Sequence, residues 1–218
     1  MSKIVADFLF IGSGIVLTLE LLVGSIFIGL VVGGLFAVAR ACCICKTAIN
    51  CIVSVVRGTP VILQLSFFYF AVPQIFGCKL GIVLTGIIAF GINSSAYVSE
   101  ILRAGIESLP KGQFEVSRSL GIPAFHMWKD IILPQVVMNI FPTFINETVT
   151  LLKETALVAT IGGMDVMRRS QVIAAEQYEY FIPLSIAAFI YYLFVLLIEF
   201  IGRKVEGLKL YAENLQRP

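Results

Sequence analysis

Charge is what this chain has least of. Lys, Arg, Asp and Glu make up 14% of its 218 residues, where a soluble domain carries roughly 25%. The formal net charge is only +2 and its basic residues are scattered, which argues against a nucleic-acid partner. There is one histidine, His126, with no evident base or metal partner, and it is expected on the surface. The five cysteines, Cys42, Cys43, Cys45, Cys51 and Cys78, complete no zinc spacing, so no metal site is expected. Gly-x-x-x-x-Gly-Lys-Ser/Thr is absent, which leaves the chain no nucleotide cradle of its own. Without a placed nucleophile or ligand set, neither a catalytic residue nor a cofactor is expected on it. No cleavable leader is evident around Lys3 and Asp7, and the N-terminus is expected to be retained.

What the chain has instead is apolar surface. Hydrophobic residues reach 58% and the mean hydropathy is +0.94, which places it in a membrane. The expected fold is all-helical, a single unit over residues 1–218 with five spans near 21–39, 58–77, 80–99, 135–157 and 182–201. In the first span Ser25, Gly29 and Gly33 form a small-residue stripe that admits a neighbouring helix closely, as ordinary packing. Arg57 and Thr59 stand where Gly58 and Pro60 open the second span, at the edge that also holds Arg40. Glu100 and Arg103 lie three apart and can pair on one face as the chain leaves the third.

The fourth span carries a polar stripe. Thr143, Asn146, Glu147, Thr150, Lys153 and Glu154 recur at intervals of three and four on an otherwise apolar helix. Ionisable groups at that depth must face protein or water, so the stripe is a candidate substrate path, with a helix-holding network as the bland alternative. Tyr178, Tyr180 and Phe181 make an interfacial aromatic cluster before the last span. On one side of the membrane Arg40, Lys46, Arg57, Arg103, Lys111, Arg118, Lys129, Arg203, Lys204, Lys209 and Arg217 gather eleven basic residues, against four on the other. That bias puts the C-terminus in the cytoplasm and the N-terminus outside.

Between the third and fourth spans, about 103–134, runs the longest polar insert. Pro110 suits a first helical turn, Gly121 a left-handed helix end and Pro123 the start of a second helix, giving a knuckle with small residues at its apex. Phe114, Ser117, Leu120 and Gly121 share one side of it by spacing. Glu115, Gly121 six residues on, then nine residues to Ile131, with Leu133 and Pro134, resembles the signature of the membrane subunit of binding-protein-dependent ABC importers. That family's pattern is Glu-Ala-Ala, three residues, Gly, nine residues, Ile, one residue, Leu-Pro; Val116 and Ser117 depart from the two alanines. ArgGlyThrPro at 57–60, the stretch from Ala96 to Gly105 and LeuLeuLysGluThrAlaLeu at 151–157 are similar to the polar amino acid permeases, the histidine, glutamine and arginine type.

The resemblance, over about Arg57 to Gln171, implies a set of expectations. The chain would be a permease in the bacterial cytoplasmic (inner) membrane, moving a polar amino acid. Glu115, Val116, Ser117, Gly121, Ile122 and Pro123 would couple it to a separate ATPase that binds ATP and Mg. A second permease subunit, identical or related, and an extracytoplasmic substrate-binding protein would complete the assembly. Arg57, Thr59, Glu100 and Arg103 would serve a gate or boundary, and Asn146, Glu147, Thr150, Lys153 and Glu154 the path. The alternative is an ATP-independent secondary transporter or channel built on the same stripe. An odd span count disfavours that, since it gives no simple pair of inverted halves. A membrane scaffold would leave the stripe unexplained.

Overall fold

The computed structural model describes the backbone of residues 2–77 and 79–215, and side chains over 3–77 and 79–207. Cys78, the Lys209 side chain and Arg217, which entered the counts above, lie outside the described residues. Among those described, every regular element is helical. A short α1, Ser2–Gly12, leads into α2, Ile15–Ala41, so the first span starts six residues before its expected boundary. Next come α3, Lys46–Gly58, and a broken run of α4, Val61–Ser66, a π turn at Phe67–Ala71, and α5, Val72–Phe76. Helix α6, Ile82–Glu107, precedes the knuckle formed by α7, Lys111–Ser119, and α8, Ala124–His126. A π turn, Met127–Ile132, then joins α8 to α9, Leu133–Glu154, which tightens into a 3-10 helix at Thr155–Ile161. Helices α10, Val166–Gln177, and α11, Phe181–Leu215, finish the described chain.

Three helical segments are long and apolar enough to cross a bilayer: Lys3–Ala41, Ile82–Glu107 and Phe181–Gly207. A fourth follows if α3 and the run from Val61 to Phe76, bent by 100° against each other, count as one broken span. The expected second span therefore misses a whole helix. Residues 46–57 lack a continuous apolar run, because α3 is amphipathic and buries only Ile49 and Val53. The break itself is built by Thr59 and Pro60, both in extended conformation, as the residue before a proline prefers. Gln64 bridges it by donating to the carbonyl of Val56 at 2.8 Å and to the Thr59 hydroxyl at 2.9 Å. Helix α9 is not among the three, although its 22 residues reach about 33 Å at 1.5 Å each.

Helix α6 sits at the centre of the bundle. Its packing on α2 uses the small-residue stripe: a Cβ on Gly29 would meet the Ser94 hydroxyl at 2.7 Å, and one on Gly33 the Ser95 carbonyl at 2.7 Å. The stripe is thus occupied within the chain. Side chains from α2, α4, α6, α9 and the 3-10 segment converge on a core of Leu21, Leu65, Phe90, Leu151, Leu152 and Val158. Lipid is as apolar as these residues, so close packing rather than expulsion of water holds them together.

The end of the bundle away from the knuckle is locked by an acid. Asp165 is fully buried; it caps α10 by accepting from the Arg168 amide at 2.8 Å and from the Tyr191 hydroxyl at 2.9 Å. Burial pushes its carboxyl above the usual carboxylate range, opposed by those hydrogen bonds. The expected polar stretch after Gly163 is therefore a capped helix docked on α11. Nearby, Gln177 donates to Asp7 at 3.0 Å and ties α1 to the same end.

Candidate functional site

The fourth-span stripe splits into two edges. Residues 147 and 154 lie seven apart and point at α6, where Glu154 accepts from the Asn93 amide at 3.2 Å and Glu147 lies beside Ser94. Asn93 and Ser94 are themselves buried at 3% and 2% exposure, so these contacts are inside the protein. Asn146, Thr150 and Lys153 form the other edge and are exposed. Thr150 returns its hydroxyl to the Asn146 carbonyl at 3.0 Å, and Lys153 makes no ion pair among the described residues. The helix-holding network, the alternative reading of the stripe, does not form between Lys153 and either Glu among the described residues.

Glu100 is the hub of a second cluster. It takes Arg40 at 2.5 Å from α2, Arg103 at 2.9 Å from its own helix and Arg57 at 3.6 Å from α3. Arg103 also holds Glu107 at 2.6 Å, and Arg57 lies over the Tyr97 ring with 5.3 Å to its centroid. The i,i+3 pair expected of Glu100 and Arg103 is present, but sequence spacing gave no hint that Arg40, sixty residues away, is its shortest partner. Thr59 stays local, donating to Val55 at 3.0 Å, and shapes the break rather than the cluster.

The knuckle turns at Gly121, whose φ of +69° is the left-handed conformation expected there. The second arm is not a separate short helix: the chain from Ala124 runs through the π turn into α9, so any push on the knuckle bears directly on the stripe. Two reciprocal hydrogen bonds between Gln113 and Gln135, 2.9 Å each, and the edge-on Phe114–Trp128 contact at 6.1 Å clamp the arms. Beneath them Leu109, Met127, Ile132 and Val136 form their own core, with Ile122 packed against it. The expected grouping of Phe114, Ser117 and Leu120 on one face is divided. Phe114 and Ser117 turn inward, while Val116 and Leu120 stand 58% and 72% exposed. Glu115, Gly121 and Pro123 share that open surface, and His126 meets Asp130 at 2.9 Å. Phe125, also exposed, lines a separate cavity with Val38, Leu102 and Trp128.

The model of the family described as the inner membrane component of binding-protein-dependent transport systems matches residues 25–207. The chain belongs to this family. A putative glutamine transport system permease protein of Rickettsia typhi is 45% identical over 206 residues, covering 94% of each chain. The arginine transport system permease protein of Bacillus subtilis is 43% identical over 205 residues, 90% of this chain and 91% of the relative. Among solved structures, a chain of an amino acid ABC transporter crystallised with histidines aligns over 95% of this chain and 96% of its own. That alignment has a TM-score of 0.85 and 35% identity. A chain of the methionine transporter MetNI, inward facing, shares the fold at a TM-score of 0.72 and 19% identity, covering 91% and 94%.

For an inner membrane component, two site features went unread in the sequence. Arg40 passed as a boundary charge because only the fold brings α2 against α6. The polar positions of α3 were hidden because residues 46–57 looked like a connection rather than a helix.

Proposed function

We propose that this chain is the permease subunit of an ATP-driven importer that carries a polar amino acid across the inner membrane. ATP and Mg belong to a partner ATPase. The observation that carries the reading is the exposed apolar pair Val116 and Leu120, beside a left-handed glycine at the head of the helix that bears the stripe. Such an apex fits a groove on a soluble partner, and the rigid continuation into α9 offers a direct mechanical link to the path. Glu115, Val116, Ser117, Gly121, Ile122 and Pro123 form the coupling element, with Ser117 and Ile122 supporting it from within. Asn146, Glu147, Thr150, Lys153 and Glu154 line the path, where two carboxylates suit an ammonium group. A lone exposed Lys153 on a membrane helix must face water or a second permease subunit, since it cannot face lipid. Arg57, Thr59, Glu100 and Arg103, joined by Arg40, form a gate at the knuckle end. The relatives named for glutamine and arginine transport support an amino-acid cargo delivered by an extracytoplasmic binding protein. Native mass spectrometry of the chain purified gently from its membrane should show a co-purifying ATPase and two permease copies or a related pair; the chain alone would refute the reading.

The same proposal sets the orientation, with the knuckle and C-terminus cytoplasmic and the N-terminus outside. Cys42, Cys43 and Cys45 are exposed in the turn between α2 and α3. A membrane-impermeant maleimide should label them only after permeabilisation, and labelling in intact cells would reverse the topology.

A further inference from the structure

Helix α3 has a polar edge of which only Arg57 has an assigned task. Lys46, Asn50, Ser54 and Arg57 follow at spacings of four, four and three, which on a helix confines them to an arc of about 80°. All four line a cavity of about 770 Å³ bounded across by Arg40 and Glu100 at the ends of α2 and α6. The neighbouring edge of α3, Ile49 and Val53, packs on Ala96 and Phe36, and Val53 also lines the cavity, so the polar edge lies beside the face that docks on α6. Among the described residues none of the four side chains makes a hydrogen bond; Arg57 has only its 3.6 Å ion pair and its stacking on Tyr97. Arg40 is 7% exposed, yet its Nε and Nη2 have no partner. Arg40, Lys46, Arg57 and Arg103 face only Glu100 and Glu107 there, a surplus of two positive charges.

Unused donors on a side chain as buried as Arg40 are costly, and a positive edge cannot rest against lipid. One ligand class answers both demands, an oxyanion, because a guanidinium fork and an ammonium match a carboxylate or phosphate. A cavity of this size suits a small molecule. It opens beside Ile106 and Glu107, where α6 gives way to the knuckle. We propose that this cavity is a second station for the transported amino acid, at the knuckle end of the path, which grips the α-carboxylate through the α3 edge and takes any side chain. The proposal rests on the permease reading. On it, cargo passes from the two carboxylates of α9, which attract its ammonium, to the cationic edge of α3, which attracts its carboxylate.

The test uses the complex with its ATPase, free of ATP, and equilibrium dialysis of L-glutamine and L-arginine, each against its own α-amide. The wild type should prefer the acid in at least one pair by about tenfold or more, the scale of one charge-assisted contact. Lys46→Gln, which lies far from α9, should remove most of that preference while leaving amide binding unchanged, and Arg57→Gln should remove most of it too. Neither side chain supports the core, so yield should hold. No acid preference in the wild type, or a preference unchanged in both variants, overturns the station. Failure of the permease reading is distinct: the complex would then take up neither amino acid nor carry an ATPase. If the preference is untouched while co-purifying anionic phospholipid falls in the variants, the edge holds a headgroup phosphate and the proposal is overturned as well.

Discussion

Replacing Glu147 or Glu154 with Gln should lower amino-acid uptake per assembled complex about 10- to 100-fold, with folded yield and basal ATP hydrolysis unchanged. The magnitude follows from losing one hydrogen bond to a charged group, about 1.5–3 kcal/mol. The structure separates this from a purely structural role. Breaking a buried ion pair costs about 3–5 kcal/mol because a charge is left alone. Here neither carboxylate has such a pair: their contacts are the neutral Asn93 and Ser94, and Glu147 and Glu154 also repel each other. A Gln of the same shape keeps a hydrogen-bonding carbonyl toward Asn93 and removes that repulsion, so assembly should survive or improve. Lys153→Met should reduce uptake too, since the exposed cation lies on the open edge of the same helix. The deciding measurement is uptake in reconstituted vesicles divided by the amount of assembled complex. Normal uptake in all three variants removes the stripe from the path, and collapse of assembly in all three makes it a scaffold.

The stripe was legible because it repeats at helical spacing within one segment, and so was Gly121, whose turn is a local matter. What stayed hidden was whatever depends on segments far apart in the chain. Periodicity placed Glu147 and Lys153 on one broad face, but only the packing of α6 shows that the face has a buried edge and an open one. The Glu100 cluster was half visible: Arg103 is on the same helix, whereas Arg40 and Arg57 come from helices 60 and 43 residues earlier. Helix α3 escaped because Lys46, Asn50, Ser54 and Arg57 interrupt its apolar positions, so it lacks the apolar run that marks a span. The same polarity keeps α9 below the apolarity that identifies a crossing, although its length is sufficient. The two helices with the most polar faces are those that least resemble membrane helices.

At the knuckle, Leu120→Glu and Gly121→Val should each uncouple transport from ATP hydrolysis, by different physical routes. Leu120 is 72% exposed on the apex, so a charge there costs the chain nothing in isolation and is felt only against a partner groove. A central apolar anchor at an interface is worth about 2 kcal/mol or more, so ATPase affinity should fall roughly 30-fold. Gly121 acts through the backbone. A Cβ built on it meets nothing within 4 Å, so crowding is absent and the whole penalty is the left-handed φ of +69°. For a β-branched residue that is about 1–2 kcal/mol, enough to tilt the apex without disturbing the Gln113–Gln135 clamp below it. Asn tolerates the left-handed region, so Gly121→Asn should restore most of the coupling that Gly121→Val loses, whereas a role for bare glycine surface would leave both variants defective. The readouts are ATPase retained on purification and hydrolysis stimulated by loaded binding protein. Undiminished stimulation in both Leu120→Glu and Gly121→Val would take the coupling role away from this turn.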